Sequence, residues 1–138
     1  MEQRLSLVTL GVDDVARARR FYQALGWTPG FANEEVTFFQ LGGIVLSLWN
    51  RAAMARDTGR TPRGPGDVAL AHNVRTREGV DAALAEAVAA GGTVLRPAHQ
   101  AEWGGYSGYF ADPDGHAWEV AWNPDWRIDD DGNVHLPR

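Results

Sequence analysis

One pattern of strand and helix occurs twice in this chain, and that repeat limits its fold more than any other feature. Residues 5–12 read LSLVTLGV, aliphatic and β-branched like a strand. VARARRFYQAL follows, with Val15, Ala18, Phe21, Tyr22 and Leu25 at the spacing of one helical face. Asp13 or Asp14 can cap that helix and Gly26 can stop it. Three strand-like pieces come next, at 27–32, 35–41 and 44–49, the last two joined by the two-residue turn Gly42-Gly43. The same order then returns. Residues 68–74 are strand-like, and Thr76 caps REGVDAALAEAVAA, which places Val80, Leu84, Ala87 and Val88 on one face. Gly91-Gly92 ends it, and strands are expected at 93–97, 106–111 and 116–122. Asp112-Pro113-Asp114-Gly115 turns between the last two. The closing hairpins align by their turns, FFQLGGIVLSLWN against YFADPDGHAWEVAWN. Two βαβββ units predict an α+β fold with mostly antiparallel sheet.

The expected organisation is a first unit at 1–50, a linker at 51–67, a second unit at 68–123 and an acidic tail at 124–138. The linker, RAAMARDTGRTPRGPGD, opens helix-like and ends in Gly and Pro. The tail reads as a loop or short edge strand. With no cysteine, disulfides and thiolate metal sites are excluded. A net charge of −5 argues against a nucleic-acid binder. No apolar run approaches the roughly 20 residues that span a bilayer, and the N-terminus lacks the apolar core of a signal peptide. The expected location is the cytoplasm, with no membrane partner.

Three segments, TLGVDDVARARRFYQALGW, AAGGTVLRP and WGGYSGYFADPDGHAWEVAWNP, resemble the vicinal-oxygen-chelate superfamily of glyoxalase, bleomycin-resistance and extradiol-dioxygenase relatives. The resemblance covers roughly residues 4–124. It implies two βαβββ modules whose sheets curl into an open, barrel-like mixed sheet around a central cavity. In metal-dependent members, four side chains from the first and last strands of the modules, usually His, Glu, His and Glu, hold a divalent cation. Matched to this chain, those positions fall on Leu7, Ser47, Ala69 and Glu119. That set offers one carboxylate, one hydroxyl and two groups with no lone pairs, whereas a transition ion needs mostly imidazole and carboxylate donors. Strand alternation turns His72 and His116 away from this face, His99 is placed in a loop and His135 in the tail. No metal and no cofactor are therefore expected.

The same alternation gives the cavity Val45, Ser47 and Trp49 from the first unit, together with Leu5, Leu7 and Thr9. The second unit gives Ala69, Ala71, Asn73, Ala117, Glu119 and Ala121. Trp118 and Trp122 face the helix layer as core. This is a mostly apolar lining with a few polar groups, as small-molecule sites have. The candidate ligand residues are Trp49, Ser47, Asn73, Trp103, Tyr106 and Glu119. Trp103 and Tyr106, beside Gly104-Gly105, can line the mouth of the pocket or staple a loop. Glu119 can be a ligand carboxylate, a general base, a vestige of a metal site, or half of an ion pair with an arginine. In apolar surroundings its charge requires a nearby cation or hydrogen-bond donors.

Two functions follow as expectations. The first is a homodimeric binder of an aromatic or otherwise hydrophobic small molecule, like the bleomycin-resistance branch that the chain resembles. The alternative is a lyase, isomerase or dioxygenase with Glu119 as base or metal ligand.

Overall fold

The computed structural model describes residues 1–61 and 63–137; Pro62 of the expected linker and Arg138 of the tail lie outside them. The chain divides into two compact units, Met1–Pro65 and Gly66–Arg138.

The first unit runs β1 (Leu7–Val12), α1 (Val15–Ala24), β2 (Phe31–Ala32), β3 (Val36–Leu41), β4 (Ile44–Asn50) and α2 (Arg51–Thr58). Asp14 caps α1, its carboxylate accepting the Arg17 N–H at 2.9 Å. The sheet order is β1-β4-β3-β2, with β1 parallel to β4 and the other pairs antiparallel. Alternation along the strands puts Leu10, Val12, Phe39, Leu46 and Leu48 on one face, and all are buried. Val15, Ala18, Phe21 and Tyr22 of α1 are buried with them, Tyr22 stacking on Trp27 at 5.4 Å and meeting Phe39 at 5.9 Å. The opening of the expected linker is therefore helical. Asn50 caps α2 by accepting the Ala53 N–H at 3.1 Å, and left-handed Gly59 (φ 72°) ends it.

The second unit repeats the plan: β5 (Ala69–Asn73), α3 (Arg77–Ala89), β6 (Thr93–Gln100), β7 (Tyr106–Ala111) and β8 (Ala117–Trp122). Its order, β5-β8-β7-β6, with β5 parallel to β8, is the same arrangement as in the first unit. Thr76 caps α3, whose Val80, Leu84 and Ala87 are buried. Val88, expected on that face, is 48% exposed, because it stands one position beyond the i, i+4, i+7 stripe.

The tail folds as a hairpin of β9 (Arg127–Ile128) and β10 (Val134–His135). Arg75 ties it down, donating to the Ile128 carbonyl at 2.7 Å and the Asp129 carbonyl at 2.6 Å. Inside the turn His135 Nε2 lies 2.8 Å from the Asp129 carboxylate. That hydrogen bond, followed by the Asn133 N–H, holds the Asp129 carboxyl well below the usual carboxylate range. A folded-state value below the unfolded one stabilises the hairpin above the unfolded value and is lost as pH falls through the folded one. Protection of the amides across β9 and β10, taken relative to their intrinsic exchange rates, should therefore hold steady from neutral pH down to about pH 4 and fall only below it. Asp129→Asn should lower that protection at neutral pH; unchanged protection in this variant would refute the role of the pair. Among the described residues, no helix is long and apolar enough to cross a membrane.

Candidate small-molecule site

The closing hairpin of the second unit sets the geometry. Asp112 Oδ1 accepts the N–H groups of Asp114 at 3.0 Å and His116 at 2.9 Å, and Gly115 takes a left-handed conformation at φ 89°. This turn pairs Ala111 with Ala117, and so places Tyr109 directly opposite Glu119. The Tyr109 hydroxyl donates a hydrogen bond to Glu119 Oε2. That bond, then burial and the carboxylate charge, raises the Tyr109 phenol above its ordinary 10.0, with Arg96 opposing. Tyr109 thus keeps its proton at neutral pH and supplies the donor that the Glu119 charge requires. Oε1 of Glu119 has no hydrogen-bond partner among the described residues.

The register extends this pair into rows across the sheet. Arg96, Tyr109, Glu119 and Ala71 form one row, and His99, Ser107, Ala121 and Asn73 the next. All stand on the face opposite Trp118, Val120 and α3, where Ser107 and Ala121 are buried and Asn73 half-buried. Helix α3 covers the other face, since a side chain at Gly108 would meet Leu84 at 2.7 Å.

Several expected positions change. Tyr106 pairs with Trp122 on the α3 side, away from Glu119, because strand alternation puts it there. Its hydroxyl donates to Asp81 at 3.0 Å and Arg77 lies over its ring at 4.1 Å. Trp103 is 51% exposed and lies over Gly105, where even a Cβ would collide with the indole. It staples its own loop. His99 lies in β6 rather than in a loop, since the strand continues through Pro97 to Gln100, and it faces the same side as Glu119. Leu5 precedes β1 and is exposed. Glu119 has no arginine in an ion pair among the described residues, so the structural-pair alternative is not realised. Tyr109 and Arg96, which the sequence does not single out, join Glu119 on this face.

In the first unit Ser47 occupies the place equivalent to Glu119, between Thr9 on β1 and Phe38 on β3. It is 3% exposed, and Val45 and Trp49 share its side. Leu7 and Ala69 keep the expected faces, although the residues directly across from Ser47 and Glu119 are Thr9 and Ala71.

The comparisons with known proteins agree with this architecture. The model of the Glyoxalase/Bleomycin resistance protein/Dioxygenase superfamily matches residues 4–120. The chain belongs to that superfamily. A glyoxalase-related enzyme from Fulvimarina pelagi is 44% identical, with 99% of this chain and 100% of that one aligned at a TM-score of 0.94. A glyoxalase/bleomycin resistance protein from Albidiferax ferrireducens is 26% identical over 87% of this chain and 98% of its own, at 0.68. Lactoylglutathione lyase from Agrobacterium tumefaciens, 23% identical over 88% and 95%, shares the fold at 0.70. Among curated proteins the sequence has no match.

The donors present do not suit the divalent ion of the superfamily's metal-dependent members. Leu7 and Ala69 offer nothing, Ser47 a neutral hydroxyl, and one oxygen of Glu119 already takes the Tyr109 proton. Substituting the directly facing Thr9 and Ala71 adds no imidazole. Among the described residues no three His, Asp or Glu side chains form a group that could hold a metal ion.

Proposed function

We propose that this member of the superfamily binds a small aromatic or otherwise hydrophobic cation without a metal, using Glu119 as its anionic anchor. The observation that carries this reading is the Tyr109–Glu119 pair. One carboxylate oxygen is engaged and the other is left without a partner among the described residues, on a face that Glu119 shares with Ala69, Ala71, Ala117 and Ala121. A carboxylate in apolar surroundings gains most from a ligand that brings both a positive charge and apolar area. Asn73 is the further ligand residue of this reading in the second unit, and Ser47 and Trp49 are the candidate ligand residues of the first. Tyr106 and Trp103 leave it, because one packs under α3 and the other covers Gly105. Titrating the protein with benzylamine and with the isosteric benzyl alcohol tests the reading. Stabilisation by the amine alone supports it, and equal stabilisation by both overturns it.

An enzymatic reading rests on the same pair and on the similarity to a glyoxalase-related enzyme. Glu119 would accept a proton from a carbon acid, with Tyr109 holding the carboxylate in place.

The protein is also proposed to work as a cytoplasmic homodimer. Two-fold dimers are the commonest assemblies, and the edge strand β6 leaves Val94 and Leu95 exposed. Sedimentation should give twice the 15.1 kDa chain mass. A monomer at every concentration would contradict this.

A further inference from the structure

We infer that the ligand at Glu119 is zwitterionic, with an anionic group that Arg96 receives. This rests on the cation-binding reading of Glu119 and adds the second half of the ligand. Arg96 stands in the same cross-strand row as Tyr109 and Glu119. Strands lie about 4.8 Å apart, so the backbones of Arg96 and Glu119 are separated by roughly 10 Å. Across that gap the two side chains form no ion pair with each other, and Arg96 has no ion-pair partner among the described residues. The phenol of Tyr109 stands between them, its pKa raised chiefly by the hydrogen bond to Glu119, with the Arg96 charge opposing.

The backbone around Arg96 is irregular. The register of β6 against β7 shifts between Val94 and Arg96 and again between Arg96 and His99. Bulges of this kind re-aim a side chain and recur beside binding sites. Gly108, on β7, is where this edge strand comes close: a Cβ there would approach the Ala98 nitrogen at 2.9 Å and the Arg96 carbonyl oxygen at 3.0 Å. The row therefore presents a guanidinium, a phenol and a carboxylate in sequence, with Ala71 beyond. A guanidinium forks onto a carboxylate or phosphate, and Glu119 Oε1 takes an ammonium. A flat apolar spacer between the two charges lies along the Tyr109 ring.

The test uses 4-(aminomethyl)benzoate, whose charges sit at opposite ends of one ring, with benzylamine and benzoate as its halves. The zwitterion should bind about tenfold more tightly than either half. Arg96→Gln should reduce its affinity about tenfold, to that of benzylamine, while benzylamine itself binds no more weakly than to the wild type. Glu119→Gln should weaken both amines. The inference is overturned if benzylamine binds as tightly as the zwitterion, if Arg96→Gln has no effect, or if no probe binds. Zwitterion binding that Glu119→Gln abolishes and Arg96→Gln ignores would leave the cation reading standing and remove only Arg96. Benzylamine binding indifferent to Glu119 would remove the cation reading itself.

Discussion

Replacing Tyr22 with Ala should cost about 3–5 kcal/mol of stability, the range for emptying a large aromatic from a packed core. Tyr22 is fully buried and is the ring on which three others converge: Phe21 edge-on at 5.0 Å, Trp27 stacked at 5.4 Å and Phe39 at 5.9 Å. Trp27 and Phe39 also meet at 5.9 Å, so the hole cannot close without moving both. This cluster joins α1 to β3, and losing it should unfold the first unit under conditions where the wild type is folded. Urea denaturation followed by tryptophan fluorescence measures this directly. A loss below about 1 kcal/mol would mean that the cluster collapses around the gap and that the packing described is not what holds α1.

The second large effect falls on the Tyr109–Glu119 pair. Glu119→Gln keeps the shape and removes the charge. Benzylamine affinity should drop by at least about tenfold, near 1.4 kcal/mol, with stability unchanged or improved, since no arginine partner is left stranded. Tyr109→Phe acts in the opposite sense on the fold. It strips the carboxylate of its donor and should cost about 1–3 kcal/mol. The phenol's raised pKa gives this a pH signature. A tyrosine whose folded pKa lies above its unfolded value contributes stability that is fully present below the unfolded value and fades as pH rises through the folded one. The difference between wild type and Tyr109→Phe should therefore shrink above about pH 10. A stability loss in Glu119→Gln with affinity intact would retire Glu119 as a ligand residue.

Much of this architecture is legible in the residues, because the repeat, the caps and the turns all act locally. Asp14 and Thr76 cap where their spacing predicts, and the Asp112–Gly115 turn fixes the register that turns Glu119 away from Trp118 and α3. Tyr109 could have been found by the same counting, since a hairpin closed at Ala111 and Ala117 leaves it no other partner. Arg96 could not, because two register shifts in β6 break the alternation on which counting depends. His99 departs from its expected loop for a related reason. Pro97 suggests the end of a strand, but β6 is an edge strand, where proline sacrifices no ladder bond that the sheet needs. Tyr106 fails on parity: its distance from Trp122 assigns it to the α3 face, while its position beside Gly104-Gly105 suggested a pocket mouth.

The proposed anchoring of a ligand on the Tyr109–Glu119 pair requires no metal ion. Elemental analysis of protein purified without added metal, with and without prior dialysis against a chelator, tests it most directly. The expected result is far less than one equivalent of zinc, nickel, iron or manganese, and the same thermal midpoint before and after chelation. One equivalent of such a metal, lost together with thermal stability on chelation and absent from Glu119→Gln, would contradict it.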